Sequence, residues 1–557
     1  MKKILALSML ALPVALSAQN ALDMYQLSQG NLRGTARFMS MGGAFTALGG
    51  DLTTLNQNPG GIGVYTSSEI GATLDIDFQR TSTTDPGYPN NVNTQTKAAC
   101  NNFGYVGAVQ TGSDLMPFFN WGASYSRVSS FNRHYKGTLD MPTSVSNYIA
   151  ANTSLLSPGY TTSDLDGYTS GYNPYQETYA PWMSILAYNA YAINPVDPLA
   201  TSGTNYTGLF NGKSSGVASF DILEQGYVDE YSINFGGNFV NTVYWGVGFG
   251  ITDISYTQQA YYSEDMQNIA IPSNGTDPST GGSAAIGTEN GDGFIDLDSW
   301  KNINGTGFNF KAGVIVRPIQ QFRIGAAIHT PTYYNLTSQT YSSMGFSFPK
   351  TGYEGWTETD EGYVQYTDWT MRSPWRFMVG AAGIIGRYGL VSVDYEYKAY
   401  GDMRSGARGG NTFDVINGDV QNYYRGVSTL RVGAEWRVSN NVSIRAGFAW
   451  ESSPVKDGVN EGEQIIYTEG AYGTETTPSY SFDGNTIYGT CGIGYHYGNF
   501  YIDAAYVHRH RNSTFHAFDT YDLNYLNQSL PATYAATPVS QVTDNNNNLV
   551  FTLGFRF

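Results

Sequence analysis

The chain of 557 residues is acidic, with 29 Lys+Arg against 46 Asp+Glu for a formal net charge of −17, and it is rich in glycine (65) and tyrosine (44) but only 13% charged. The charge balance excludes an electrostatic footprint for phosphate backbones and with it nucleic-acid binding, and the scarcity of charge, against roughly 25% in soluble domains, argues against an ordinary cytosolic enzyme. A mean hydropathy of −0.30 does not exclude a membrane, because a barrel alternates lipid-facing with lumen-facing side chains.

Lys2 and Lys3 precede an apolar run over 4–16 that ends on Ser17 and Ala18. This three-part pattern predicts a signal peptide over 1–18, removed on export. The run is too short to span a bilayer, and no later stretch offers 18 consecutive apolar residues. A barrel is then the one membrane architecture left. Cys100 and Cys491 are the only cysteines; they allow at most one disulfide and no cysteine-based zinc site.

The stretch 21–65 is not strand-like. Residues 39–51 are small and mostly apolar, and Asn56-Gln57-Asn58-Pro59-Gly60-Gly61 forces turns. Low charge and the absence of linker composition predict short helices folded into a barrel lumen, a hatch over 19–65, rather than a loose tail.

From Glu69 to Gln79 the sequence alternates without a break, Ile70, Ala72, Leu74, Ile76 and Phe78 opposing polar or small neighbours. That is a strand with one apolar and one wet face. Comparable runs follow at 101–112, 118–131, 229–240, 243–257, 306–317, 321–336, 375–386, 388–400, 426–438, 441–451, 485–497, 499–511 and 547–557. The fold class expected over 66–557 is therefore all-β, a transmembrane antiparallel β-barrel of fourteen strands. Connection lengths alternate as such a barrel requires. Asn241-Thr242, Pro318-Ile319-Gln320, Ser439-Asn440 and Gly498 make short turns, whereas 132–228, 258–305, 337–374, 401–425, 452–484 and 512–546 read as long outer loops. The final strand alternates to an aromatic terminus, Leu549, Phe551, Leu553, Phe555 and Phe557 sharing one face.

The outer loops supply aromatic material for a ligand pocket, Tyr172, Tyr175, Tyr179 and Trp182 among it, and these side chains could equally pack on one another. Arg317, Arg323, Arg376, Arg431, Arg437 and Arg445 lie on the wet face opposite Asp75, Asp394, Glu396 and Glu435. They form either a carboxylate-binding cluster or ion pairs that hold the hatch. Asn290, Asp292 and Asp296 resemble part of a calcium loop, but Thr288 and Ser299 stand where acids are needed. His508 and His510 sit two apart on one strand face. No Walker loop, His-Glu-x-x-His or nucleophile elbow is present, so no enzyme and no cofactor is expected.

Gly34-Thr35-Ala36-Arg37, Gly42-Gly43-Ala44, Ala47, Asp51 and Asn58-Pro59 resemble the N-terminal hatch of the FadL/TodX-like outer-membrane transporters of long-chain fatty acids and other hydrophobic compounds. Phe308 to Gly313, Phe322 to Ala327, Thr330-Pro331, Ser373-Pro374, Val393-Asp394-Tyr395, Ala446 to Trp450 and Ser453 to Asp457 follow in the family's order. Gly60 replaces the family's usual Ala, and 132–228 is a large insertion. The resemblance implies a monomer in the outer membrane of a Gram-negative bacterium, placed there by the barrel-assembly machinery and contacting membrane lipid and lipopolysaccharide. It implies passive uptake of a hydrophobic small molecule, with gating by Arg37, Asp51, Asn58, Pro59 and Gly60, and a pocket using the loop aromatics with Arg317, Arg323 and Arg376. Two other roles stay open: relatives serve as docking or shuttle barrels of a type IX secretion system, and a haem receptor or general porin would share this architecture.

Overall fold

Alternating residues zip into ladders because one face can be buried while the other is solvated by water or lipid. In the computed structural model, which describes residues 20–85, 87–155, 159–167, 171–197, 203–276, 283–459, 473–474, 476–526, 530 and 533–557, they close a single wall. The predicted signal peptide lies outside the described residues. Fourteen antiparallel strands make the wall: β1 (Glu69–Thr84), β2 (Asn91–Gln110), β3 (Phe118–Ser130), β4 (Ser215–Phe239), β5 (Val243–Thr276), β6 (Ser283–Ile319), β7 (Phe322–His329), β8 (Arg376–Ile385), β9 (Gly389–Lys398), β10 (Val427–Arg437), β11 (Val442–Glu451), β12 (Tyr480–Tyr497), β13 (Phe500–His516) and β14 (Val539–Arg556). Each pairs with the next, and β14 returns to β1 with Arg556 opposite Glu69 and Gln541 opposite Thr84. Phe557 and Ser68 exchange both backbone hydrogen bonds at the seam, at 2.9 and 3.0 Å.

The apolar positions face outward as a belt that includes Leu74, Phe249, Ile324 and Leu553, all exposed. Aromatic residues such as Trp436, Tyr388 and Phe500 stand at its inner rim and Tyr231 and Tyr397 toward its outer rim, the girdle arrangement of membrane barrels. Short inner turns use left-handed backbone: Val240 and Asn241 have φ of 50° and 51°, as a tight hairpin demands. Cys100 and Cys491 are free and exposed.

Two expectations need correction. The connection 258–305, read as a loop, is largely strand: β5 runs for 34 residues and β6 for 37, far beyond the roughly 9–11 that cross a bilayer. Alternation persists there because Ile295 and Leu297 bury against an apolar core above the membrane. Further outer strands, Arg133–Asp140, Tyr333–Phe348, Tyr353–Glu358, Gln365–Arg372 and Arg404–Ala407, widen the same sheet. The strand expected over 321–336 is two strands, interrupted at 330–332, and Ser373-Pro374 interrupts the facing run. Pro331 and Pro374 have no amide hydrogen for the ladder.

Above the membrane the insertion folds into a cap. Helices α4 (Val145–Leu155) and α5 (Trp182–Asn189) pack with Ile222, Leu297, Phe346, Phe515 and Phe518 into one apolar core. Inside the wall the N-terminal segment forms α1 (Ala21–Ser28), α2 (Ala36–Ser40), α3 (Thr54–Gln57) and a 3-10 turn over Pro59–Val64.

Candidate luminal binding site

The N-terminal segment threads the depth of the lumen, and α1, α2 and the 3-10 turn start where a side chain satisfies a free amide. Asn20 Oδ1 accepts from Asp23 N at 2.6 Å to begin α1. Thr35 Oγ1 accepts from Phe38 N to begin α2 while donating to both Asp51 carboxylate oxygens at 2.8 Å, which fixes Asp51 inside the hatch. Asn58 Nδ2 donates to Thr46 O at 2.6 Å and its Oδ1 accepts from Gly60 N at 2.9 Å, so the turn that Pro59 opens is held from both sides.

Ion pairs and backbone contacts fasten this segment to the wall. Arg33 bridges Asp75 at 2.5 Å and Asp77 at 2.7 Å on β1. Arg37 Nε meets Glu435 Oε2 at 2.9 Å, and Arg445 holds the same carboxylate at 2.6 Å. Arg323 Nη1 donates to Leu48 O at 2.7 Å, Thr46 N donates to Asp394 Oδ2 at 2.6 Å, and His329 Nε2 lies 2.8 Å from Gln57 O. A Cβ on Gly60 would sit 2.9 Å from the Gly313 backbone, and one on Gly246 would sit 2.0 Å from Pro59 O. Glycine at 60 is therefore required by this close approach.

Between α1 and the rest of the hatch lies a cavity of about 150 Å³. One side is apolar, from Leu27, Leu32, Phe38, Val128 and Val228. The other is charged. Arg376 Nε and Arg431 Nη2 share the buried Glu396, at 2.7 and 2.5 Å, Lys398 reaches Glu451 at 3.4 Å, and Lys311 binds Glu230. Arg33 and Arg127 line the same cavity and are met by Asp75, Asp77 and Asp229, so with these partners six cations and six carboxylates balance. Toward the outside, α1 roofs the cavity: Lys301 Nζ donates to Asp23 at 2.6 Å, Tyr25 OH donates to Asp483 at 3.0 Å, and the Tyr25 ring stacks on Tyr424 at 5.0 Å.

The structure divides the residues expected to share one pocket. Arg376 lines the cavity, Arg323 holds the hatch, and Arg317 donates to Asn241 O at the inner mouth at 2.6 Å. Tyr175 and Trp182 meet edge-to-face at 5.1 Å in the cap, Tyr172 donates to Asp164 O on its surface, and Tyr179 is 71% exposed. Asn290, Asp292 and Asp296 lie along β6 rather than in a loop, and a strand does not gather successive side chains as a loop does. Lys350 Nζ donates to Asn290 O and Asn268 N to Asp292 Oδ1, and no metal-ligand grouping occurs among the described residues. Sequence reasoning missed Arg33, Lys311, Lys398, Glu230 and Glu451. Wet-face parity could have flagged Lys311 and Lys398; nothing local marked Arg33.

Outside the membrane one buried acid stands apart. Glu264, on the outer extension of β5, accepts from Val145 N and Tyr262 OH at 2.8 Å and from Ser144 Oγ, so it fastens the first turn of α4. Burial pushes its carboxyl up to about 7.

A lipid-belted wall, a plug threaded through its lumen and a cavity between them define a plugged transmembrane β-barrel. No protein-family model matches the chain, and no curated protein is similar to it in sequence. Among solved structures it is similar to a Pseudomonas aeruginosa FadL homologue (13% identity, 95% of this chain and 99% of that one, TM-score 0.48). It is also similar to the P. putida toluene transporter TodX (13%, 95% and 99%, 0.42) and the Ralstonia pickettii toluene transporter TbuX (15%, 95% and 99%, 0.44).

Proposed function

We propose that the chain is a passive channel of a Gram-negative outer membrane that admits hydrophobic small molecules, fatty acids or aromatic compounds, without covalent chemistry. The observation that carries this reading is the two-sided cavity, apolar along Leu27, Leu32 and Phe38 and charged along Lys311, Arg376, Lys398 and Arg431. A cavity of about 150 Å³ has room for a benzene-sized molecule, so it takes a ring or the head of a longer chain. In this reading Arg37, Asp51, Asn58, Pro59 and Gly60 gate the inner end by holding the hatch, and residues 19–65 leave or rearrange for release.

Mass spectrometry of compounds that co-purify with the detergent-extracted barrel tests the proposal, alongside a barrel lacking residues 21–60. A stoichiometric fatty acid or aromatic compound, lost on deletion, together with new conductance in planar bilayers, is the expected result. An empty barrel that instead retains a secreted protein, or unchanged conductance after the deletion, overturns it.

A further inference from the structure

The cap carries a second pocket that takes no part in the luminal site. It holds about 220 Å³ and shares no lining residue with the cavity below. One wall is the short helix Pro174–Glu177 with Tyr172 before it and Asn189 at the end of α5; the other is the outer strand Tyr353–Glu358 and the turn that follows it. It opens to solvent at Trp356 and Glu361, both exposed.

The two walls are fixed against each other. The backbone turns left-handed at Asp360, Glu361 and Gly362, with φ of 47°, 56° and 85°. This reversal buries Asp360 and leaves Glu361 at the pocket mouth. The Asp360 carboxylate accepts from Asn173 Nδ2 at 2.7 Å and from Gln176 Nε2 at 2.9 Å, which ties the insertion to the strand. Glu358 is set by Tyr341, whose hydroxyl donates to its Oε2 at 2.7 Å. A ligand therefore meets walls already ordered, which removes part of the entropic cost of binding.

The polar groups of the pocket are unequally occupied. Asn173 Oδ1 accepts from Tyr175 N at 3.0 Å, Asn189 Nδ2 donates to Leu165 O and Ile185 O at 2.8 Å, and the Tyr172 hydroxyl donates to Asp164 O at 3.1 Å. The fold uses these amides and this hydroxyl itself. What is left to a ligand is the Glu361 carboxylate, the second oxygen of Glu358, and the rings of Tyr172 and Trp356, the indole being 65% exposed. No basic side chain lines the pocket, and the sequence holds no Lys, Arg or His over 159–197 or 351–371, against nine acids. The Tyr172 hydroxyl feels that field: burial and then the carboxylates of Asp164, Glu177 and Asp166 push it above its ordinary value.

We propose that this pocket binds a small quaternary ammonium ion. Aromatic rings attract a cation placed over their faces, and the surrounding carboxylates draw it in from a distance. An ion without N–H groups asks for no hydrogen-bond acceptors, which suits a pocket of rings with only two carboxylates. A sugar would leave its hydroxyl oxygens short of donors here. At about 220 Å³ the pocket exceeds the roughly 150 Å³ that takes a benzene-sized molecule, so a choline-sized cation fits.

The full-length barrel in phosphatidylglycerol nanodiscs, titrated with choline and read by saturation-transfer NMR against empty nanodiscs, tests this. Choline binds about tenfold more tightly than its neutral isostere 3,3-dimethylbutan-1-ol, and phosphocholine, whose phosphate meets the same carboxylates, binds more weakly than choline. Trp356→Ala abolishes the choline signal and Glu361→Gln lowers affinity severalfold, both with an unchanged unfolding temperature, whereas Tyr366→Ala, exposed but outside the pocket, changes nothing. Should Trp356→Ala fail to fold, Trp356→Leu keeps the apolar bulk without the ring and makes the same test. No choline signal from the wild type, equal binding of choline and its isostere, a preference for methyl glucoside, or undiminished binding in a folded Trp356 variant overturns the proposal.

Discussion

Inside the wall the hatch is held by Arg33 on Asp75 and Asp77, Arg37 on Glu435, Asn58 across its own turn, and backbone laid on glycine. Above the membrane the cap is held by Trp182, Ile185, Leu186, Phe220 and Phe515 in an apolar core beside which Glu264 is buried. The hatch lines the cavity and the cap does not, and the two release at different cost. A hydrogen bond exchanged for water is worth about 0.5–1.5 kcal/mol net, whereas exposing a large apolar side chain costs about 1.5–3 kcal/mol. The hatch also buries Phe38, Met41, Phe45, Leu52 and Ile62, but these clusters are smaller than the apolar core of the cap, so the comparison assigns motion to the hatch and permanence to the cap.

The sharpest way to break that assignment is to cut into the cap. Trp182→Ala is expected to cost about 3–5 kcal/mol, read as faster amide exchange across α4 and α5 while the wall keeps its protection. Unaltered exchange there would mean that the cap is not held by its core.

Glu264 gives a pH handle of somewhat smaller size. Its folded value, about 7, lies above the ordinary 4.5 because of burial. The unfolded cap therefore loses its proton first. Cap stability is greatest below about pH 4.5, declines as the pH rises to about 7, and is flat beyond, a total of about 3 kcal/mol. Amide exchange of α4 measured over that window should quicken with pH after correction for intrinsic rates, and Glu264→Gln should flatten the trend; a flat wild-type profile contradicts the buried-acid account.

The smallest effect lies in the hatch. Thr35→Ala removes the α2 cap and the tie to Asp51 and should cost about 1 kcal/mol. Limited proteolysis would then cut within the hatch more often while the wall stays intact, and an unchanged cleavage rate would show that the hatch does not depend on this tie.

Alternation made the wall legible. Fourteen runs with a period of two leave few alternative folds, and their short turns fix which end is which. The outer extension was less so, because 258–276 mixes Tyr261 and Tyr262 with Gln258, Gln259 and Glu264 and resembles a loop until a cap exists to bury one face. At the site, Asn58-Pro59 and the neighbouring glycines announced the hatch. Arg33 did not, since its partners Asp75 and Asp77 are more than forty positions away and only closure of the barrel brings them together. The loop tyrosines suggested a pocket, and the fold used several of them as filling for the cap instead.

The seam between β14 and β1 sets an order of assembly. Ala36 N donates to Thr552 Oγ1 at 2.7 Å, and Ser68 clasps Phe557, so a segment synthesised at the start finds its seat only when the last residues arrive. For most of the chain's export the hatch has nowhere to dock, and whatever escorts the unfolded barrel must shield its small apolar surface until then. Contacts spanning nearly the whole chain are slow to form. Ring closure and the first seating of the plug are therefore coupled during assembly.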